Sequence, residues 1–169
     1  MLLAQTRNIR IQNEGGFTFA QISHAVPPAL RAHLTFRAMI APGMNHPPVT
    51  MGALKDSEGG ASRLTTIDSY QGSAYFKYSD FQPNGSSSYP SIVLGLMTEG
   101  VWQRFDILLV VTPPAATATV RMNNAIIVNQ MALLGSWPNG MAFFDLGCSA
   151  NLPVTAESVR IDDVTFDTK

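Results

Sequence analysis

The sequence is poor in cysteine and in charge, and it has no long apolar run. Cys148 is the single cysteine, which excludes an internal disulfide and a cysteine-based structural zinc site. Charged residues make up 14% of the chain and the formal net charge is -1, so a highly charged binding surface is not indicated. The cations are scattered along the chain, and we expect no nucleic-acid partner because nucleic acids are bound by clustered cations.

The length and the apolar pattern point to one domain without a membrane span. The longest apolar stretch, Ile107 to Val111, is far shorter than the ~20 residues that cross a bilayer. A chain of 169 residues has the size of one domain, and neither a repeat nor a change of composition divides it. We therefore predict a single domain over residues 1–169, and the sequence leaves its oligomeric state open.

The chain is predicted to be all-β. Short runs of β-branched and aromatic residues alternate with clusters of Gly, Pro, Asn and Ser, a rhythm typical of a sandwich or barrel. Paired prolines at Pro27-Pro28 and Pro113-Pro114 are predicted to end strands. The fold class that we predict is a two-sheet antiparallel β-sandwich. Its strands are expected at about residues 7–12, 16–24, 31–40, 49–54, 62–70, 73–79, 91–97, 101–111, 117–122, 125–130, 141–146 and 157–167.

Two of these segments carry specific predictions. Residues 117–122 and 125–130 form a hairpin, because Asn123-Asn124 between them tolerates the positive φ angles of a tight primed turn. Residues 29–40 also fit a helical period, but we favour a strand. Strict alternation there places apolar residues on one face and Arg31, His33, Thr35 and Arg37 on the other.

The C-terminal part of the chain resembles a known superfamily. The segments Trp102-Gln-Arg-Phe-Asp-Ile-Leu-Leu-Val, the turn Asn123-Asn124, Phe144-Asp-Leu-Gly and Val159-Arg-Ile-Asp-Asp-Val-Thr-Phe-Asp resemble the concanavalin A-like lectin/glucanase superfamily. They are most similar to laminin-G-like carbohydrate-recognition modules of bacterial envelope and secreted proteins, although Asn124 stands where glycine is usual. The resemblance covers mainly residues 100–169.

This resemblance implies a jelly roll that binds its ligand on the concave sheet face or at its rim. It also implies an extracellular or cell-envelope location, and no secretion signal is visible at the N-terminus. The glucanases of the superfamily hydrolyse glycosides with carboxylates arranged as Glu-x-Asp-x-Glu on one strand. None of the four glutamates here has an acidic neighbour two residues further along, so hydrolysis is the poorest of the functions considered.

Sugar recognition needs aromatic rings and hydrogen-bonding groups, and the sequence offers both. The candidate ligand-binding residues are Arg31, His33, Arg37, Tyr75, Lys77 and Trp137. Trp137 lies in a Trp-Pro-Asn-Gly turn, where we expect a partly exposed ring that serves either as a ligand platform or as an anchor for loop packing. Trp102 opens an apolar strand and is expected in the core. The main prediction is a non-enzymatic, lectin-like carbohydrate-binding or adhesion module with a polysaccharide or glycan partner.

The first alternative is a polysaccharide lyase on the same fold. Such lyases neutralise a uronate with Arg or Gln and move its α-proton with Tyr or His, so His33 or Tyr75 would be the base and Arg37 the neutralising group. The fragment Tyr75-Phe-Lys resembles a strand of alginate lyases, but its companion Arg-x-Glu-Leu and Gln-Ile-His strands are missing. We therefore keep the lyase as the alternative. A structural jelly-roll subunit of an assembly is the second alternative.

Asp162 and Asp163 are the candidate metal ligands. They interrupt the alternation of the last strand, because Ile161 and Val164 lie three residues apart, which predicts a β-bulge. Adjacent carboxylates can bind Ca²⁺, which prefers several oxygen ligands. A framework acid that accepts hydrogen bonds from loop amides is the favoured interpretation, so no cofactor is expected and calcium is the alternative.

Overall fold

Twelve of the fourteen strands that can be described belong to two large sheets. The computed structural model describes residues 2–4, 18–42, 49–56, 64–81, 87–134, 137, 140–150 and 159–168. Within these residues the strands, in chain order, are β1 (Leu2–Ala4), β2 (Thr18–Ala29), β3 (Arg31–Ile40), β4 (Val49–Lys55), β5 (Leu64–Tyr70), β6 (Ser73–Tyr78), β7 (Asp80–Phe81), β8 (Ser87–Ser88), β9 (Ser91–Leu96), β10 (Gln103–Thr112), β11 (Ala115–Met122), β12 (Ala125–Ala132), β13 (Met141–Ala150) and β14 (Val159–Thr168).

The sheets pack face to face and every strand pairing is antiparallel. Sheet A has the order β1-β14-β3-β10-β11-β12, and sheet B has the order β2-β13-β4-β5-β6-β9. Strands β7 and β8 form a separate two-stranded ribbon. The predicted all-β, two-sheet antiparallel sandwich is therefore confirmed. The described residues include no helix long and apolar enough to cross a bilayer.

The two specific strand predictions agree with the structure. Residues 31–40 form β3 with a buried apolar face, which confirms the strand over the helix. Strands β11 and β12 form the predicted hairpin, and its turn residues Asn123 and Asn124 have φ angles of 51° and 69°, as a primed turn requires. Asn123 also accepts a hydrogen bond from the Arg104 N–H at 2.9 Å. The strand predicted at 7–12 lies outside the described residues.

Large apolar side chains of both sheets meet between them. Phe36 of sheet A packs against Phe105 at a ring-centroid distance of 5.4 Å and also reaches the backbone of sheet B. A Cβ atom on Gly52 would lie 2.7 Å from Cε1 of Phe36, so glycine is needed where the two sheets approach this closely. The core therefore leaves the polar faces of both sheets on the outside of the sandwich.

The paired prolines Pro27-Pro28 do not end a strand, and that prediction was wrong. Both lie inside β2, which pairs only with β13 and is an edge strand of sheet B among the described strands. Proline is tolerated at a sheet edge because its missing N–H costs no ladder hydrogen bond there. The register between β2 and β13 is irregular over this stretch, between Met141 and Phe143. Pro113-Pro114, in contrast, lies at the turn between β10 and β11.

Candidate functional site

The outer face of sheet A holds an ion-pair cluster around His33. Its Nε2 lies 3.1 Å from Oδ2 of Asp106 on β10, and its Nδ1 lies 3.7 Å from Oδ2 of Asp167 on β14. Arg121 of β11 completes the cluster, with Nη1 3.2 Å from Oδ1 of Asp106. Four adjacent strands are therefore joined by charge on this face.

The cluster changes the ionisation of its members. The hydrogen bond to Asp106 raises the pKa of His33 above its ordinary value, against the opposing effect of burial. Burial acts to raise the pKa of Asp106, but the contacts with His33 and Arg121 outweigh it and leave that pKa below its ordinary value. Both shifts favour the charged pair.

A pH dependence of stability follows from the raised pKa of His33. The charged imidazolium contributes fully below the unfolded-state pKa of ~6.5, and its contribution is lost as the pH rises through the higher folded-state pKa. We expect His33→Gln to lower the free energy of unfolding by about 1 kcal/mol or less at mildly acidic pH, since the cluster is partly solvent-screened, and by less at alkaline pH. Urea denaturation of both proteins across this pH range measures the difference. An equal loss at both ends of the range would contradict the prediction.

A second feature of the sheet A face is a pocket beside β14. It has a volume of about 270 Å³ and is lined by residues that include Arg37, Arg104 and Asp163. Arg37 and Arg104 lie directly opposite each other in the pairing of β3 with β10. Nε of Arg37 is 3.1 Å from Oδ2 of Asp163, and Arg31 is exposed near the beginning of the same strand.

Of the candidate metal ligands Asp162 and Asp163, Asp163 lines this pocket, and Asp162 lies opposite Arg37 in the pairing of β14 with β3. The register of β14 against β3 is shifted between Asp162 and Thr165, which confirms the predicted β-bulge. Asp163 has a φ of 51°, and its N–H donates to Oδ1 of Asp162 at 2.9 Å. Within the described residues no three His, Cys, Asp or Glu side chains are grouped as a metal site would require, so calcium binding stays a prediction.

Tyr75 and Lys77 project from β6 on the outer face of sheet B, on the opposite side of the sandwich. They alternate with the buried Ala74, Phe76 and Tyr78, so both side chains point away from the core. Nζ of Lys77 lies 2.7 Å from Oδ2 of Asp68 on β5. Asp68, which is 7% exposed, also accepts a hydrogen bond of 2.9 Å from the Thr50 hydroxyl of β4. We call Thr50, Asp68, Tyr75 and Lys77 the β6 cluster.

A second ion pair flanks the β6 cluster on the same face. Lys55 of β4 pairs with the carboxylate of Asp145 on β13. Asp145 is opposite Ala53 in the pairing of β13 with β4, Ala53 is opposite Thr66, and Thr66 is opposite Lys77. The small Ala53 and Thr66 therefore lie between two lysine–aspartate pairs, which gives this face a polar strip across four strands.

The structure separates the residues that the sequence placed on one concave face. Arg31, His33 and Arg37 lie on sheet A, whereas Tyr75 and Lys77 lie on sheet B. The core lies between the two sets, so they do not form one site. Alternation along each strand correctly identified the outward residues, but the assignment of β3 and β6 to a common face was wrong because strand pairing depends on distant parts of the chain.

The predicted exposure of both tryptophans was wrong, although a loop-packing anchor was one of the two roles open to Trp137. Trp137 is 0% exposed, and its backbone N–H donates to the Pro114 carbonyl at 2.7 Å, so it is a buried anchor and not a sugar platform. Trp102 is 37% exposed, because it precedes β10, which begins at Gln103. The buried side chains of β10 begin with Gln103, so Trp102 lies outside the core, next to the start of the strand.

Sequence reasoning missed Asp68, Thr50 and Asp106. Asp68 alternates with Thr66 on a predicted strand, and this spacing could have marked both as outward residues. Its contacts with Lys77 and Thr50 follow from the register of β5 with β6 and β4, for which the sequence has no signal. The same holds for Asp106, which meets His33 only through the pairing of β10 with β3.

Solved structures with a similar fold are known. The chain is similar to alginate lyase AlyC3, with a TM-score of 0.72 and 7% identity over 95% of this chain and 74% of that one. The fold is a concanavalin A-like jelly roll. Alginate lyase vAL-1 from a Chlorella virus gives a TM-score of 0.61 and 9% identity over 96% of this chain and 90% of that one. AlyC3 is also known in complex with dimannuronate.

A further similar structure is that of alginate lyase A1-II′, a member of polysaccharide lyase family 7. Its TM-score is 0.63 and its identity is 12%, over 85% of this chain and 65% of that one. The sequence matches no protein-family model and no curated protein. At 7–12% identity these likenesses show the fold, and they extend the jelly roll predicted from residues 100–169 over 85–96% of this chain.

Proposed function

We propose that this protein is a polysaccharide lyase that cleaves uronate-containing polymers, with the β6 cluster as its active site. The proposal replaces the expectation of a non-enzymatic binding module, which was wrong because the similar solved structures are those of alginate lyases. The lyase was the first alternative from the sequence. A glycan partner is retained, now as the substrate.

The position of Tyr75 and Lys77 on β6 is the observation that assigns the proposed activity to particular residues. Tyr75 and Lys77 are two residues apart on β6 and share the outer face of sheet B on a fold that alginate lyases use. Residues at this spacing on a strand lie about 7 Å apart, so a hydroxyl and an ammonium group can contact one sugar residue together. The Tyr-Phe-Lys resemblance noted in the sequence therefore agrees with the geometry.

The β6 cluster supplies the groups that β-elimination requires. Lys77 neutralises the uronate carboxylate, which makes the proton on the adjacent carbon C5 more acidic. In one concerted step the Tyr75 oxygen accepts this proton while its own hydroxyl proton passes to the leaving oxygen, the electrons of the C5–H bond form the C4=C5 double bond, and the C4–O bond breaks. The leaving oxygen takes a proton from Tyr75, so the reaction needs no net oxidant or reductant.

Asp68 and Thr50 are positioning residues in this scheme. Asp68 orients the Lys77 ammonium through its 2.7 Å contact, and Thr50 orients Asp68 through a 2.9 Å hydrogen bond. Such support restricts a flexible lysine to one geometry. Because His33 and Arg37 lie on sheet A, they cannot act as base and neutralising group beside Tyr75, and Lys77 takes the place that the sequence gave to Arg37.

The finer sequence predictions remain proposals. Similarity to laminin-G-like modules in particular and an extracellular or envelope location rest on the resemblance of the C-terminal segments, and calcium binding rests on the adjacent carboxylates Asp162 and Asp163. The Arg-x-Glu-Leu and Gln-Ile-His strands of alginate lyases have no counterpart in the sequence. We therefore assign the substrate only as a uronate polymer and leave the choice among uronic acids to experiment.

The test is the appearance of unsaturated uronate ends. The purified protein is incubated with polymannuronate, polyguluronate, polyglucuronate and polygalacturonate, and ultraviolet absorbance follows the new double bond. We expect an increase with at least one polymer and none with a neutral glucan, because Lys77 has no carboxylate to neutralise there. Absence of unsaturated products from every uronate polymer would overturn the proposal.

A further inference from the structure

Two arginines on sheet A face each other without matching negative charge. Arg37 of β3 and Arg104 of β10 are direct cross-strand partners, an arrangement in which like charges destabilise a sheet. Asp163 pairs with Nε of Arg37 at 3.1 Å. Arg104 has no ion pair among the described residues, and the hydrogen bonds that it makes with them are backbone ones: its N–H donates to Asn123 Oδ1 and its carbonyl accepts from the Asn123 N–H. Asp162 lies opposite Arg37 in the pairing of β14 with β3, so the carboxylates are on the Arg37 side and the Arg104 guanidinium is left without a carboxylate partner in the described part of the chain.

Arg37 and Arg104 line a small pocket on the outer face of sheet A. Its volume is about 270 Å³, and Thr35 and Thr165 add hydroxyl groups to the lining formed by Arg37, Arg104 and Asp163. The charged lining residues sum to one net positive charge. Ligand pockets usually measure ~300–1,000 Å³, so this one suits a single sugar residue.

The bulge in β14 contributes to the pocket. Asp163 adopts a φ of 51°, a conformation that costs a non-glycine residue about 1–3 kcal/mol and that is often retained at functional sites. In this conformation its carboxylate reaches the Nε side of Arg37. The guanidinium carries further N–H donors beyond Nε, and a planar guanidinium binds carboxylates through two parallel hydrogen bonds.

We propose that this pocket, which we call the Arg37–Arg104 pocket, binds a uronate residue of the polymer on the face opposite the β6 cluster. The ligand carboxylate contacts both guanidinium groups, and Thr35 and Thr165 hydrogen-bond its hydroxyls. The class of ligand rests on the proposed function, whereas the presence of an anion site rests on the pocket itself. The site would hold polymer to the enzyme without taking part in cleavage.

Binding of a short oligouronate to the Tyr75→Phe protein tests the proposal without cleavage of the ligand. Amide NMR shifts of the sheet A residues around Arg104 measure the affinity of this pocket separately from that of the β6 cluster on sheet B. We expect Arg104→Gln to weaken binding about 10- to 100-fold, as for loss of a hydrogen bond to a charged group. Arg160→Gln is the matched control, since Arg160 is an exposed arginine of β14 that is absent from the pocket lining. We expect it to change the affinity less than about 2-fold.

The outcomes separate this proposal from the proposed function. Equal affinities of the Arg104→Gln and Arg160→Gln variants would overturn the pocket, as would equally tight binding of a neutral glucan oligomer. Equally tight binding of a sulfated, carboxylate-free oligomer would overturn the choice of uronate. If the protein cleaves no uronate polymer but binds oligouronate with an affinity that depends on Arg104, the proposed function is wrong and the pocket proposal stands.

Discussion

Replacing Tyr75 by phenylalanine is expected to lower the turnover number of the lyase reaction by about 100-fold or more, the usual contribution of a general acid–base group. The substitution removes one oxygen and keeps the ring, so packing on β6 is preserved. Both proton transfers of the elimination would be lost, whereas carboxylate binding by Lys77 remains. Initial rates on the best uronate polymer, measured across substrate concentrations, separate an effect on turnover from one on KM.

Tyr89→Phe is the matched control for this prediction. Tyr89 is an exposed tyrosine before β9, and loss of its hydroxyl should leave the rate unchanged. Lys77→Arg and Lys77→Met form a second pair, because the arginine retains the charge beside Asp68 and the methionine removes it. Activity of Tyr75→Phe equal to that of the wild type would show that the β6 cluster is not the active site.

The Trp137→Ala substitution is expected to lower the free energy of unfolding by about 3–5 kcal/mol, the cost of emptying a large aromatic site in a core. Trp137 is 0% exposed, so the surrounding side chains would border a cavity. Its Nε1 has no hydrogen-bond partner among the described residues. Trp137→Phe should therefore cost less, since it fills much of the site and removes a buried unpaired donor.

The control is the other tryptophan of the chain. Trp102 is 37% exposed, and we expect Trp102→Ala to cost no more than about two thirds as much, in proportion to the smaller buried area. Urea denaturation of the three variants and the wild type measures the differences. If Trp102→Ala lowers the free energy of unfolding more than Trp137→Ala does, Trp102 is the core residue and Trp137 the exposed one, as the sequence suggested.

The fold was predictable because its signals are local. Alternation over residues 31–40 identified β3 and its inward face, and Asn123-Asn124 identified the turn of the β11–β12 hairpin. The bulge at Asp162-Asp163 was predicted because the apolar residues Ile161 and Val164 lie three positions apart, whereas a regular strand would place them two apart. Each signal involves residues within a few positions of one another, where side-chain direction is fixed by the period of a strand.

The candidate site was only half predictable. Tyr75 and Lys77 share one strand, so their common face could be read from spacing alone. Asp68 and Thr50 join them through strand register, and register is set by the packing of whole faces and by turns elsewhere in the chain. The exposure of Trp102 and Trp137 likewise depends on what packs over them and not on neighbouring residues.

The sequence by itself determined that this protein is a two-sheet β-sandwich, which residues of each strand face outward, and that a Tyr-Phe-Lys strand offers a hydroxyl beside an ammonium group. Only the tertiary structure decided that β3 belongs to sheet A and β6 to sheet B. That decision divides one predicted site into a candidate active site and a separate arginine pocket. The physical reason is that alternation sorts the residues of a strand between two faces, whereas long-range pairing chooses the sheet to which those faces belong.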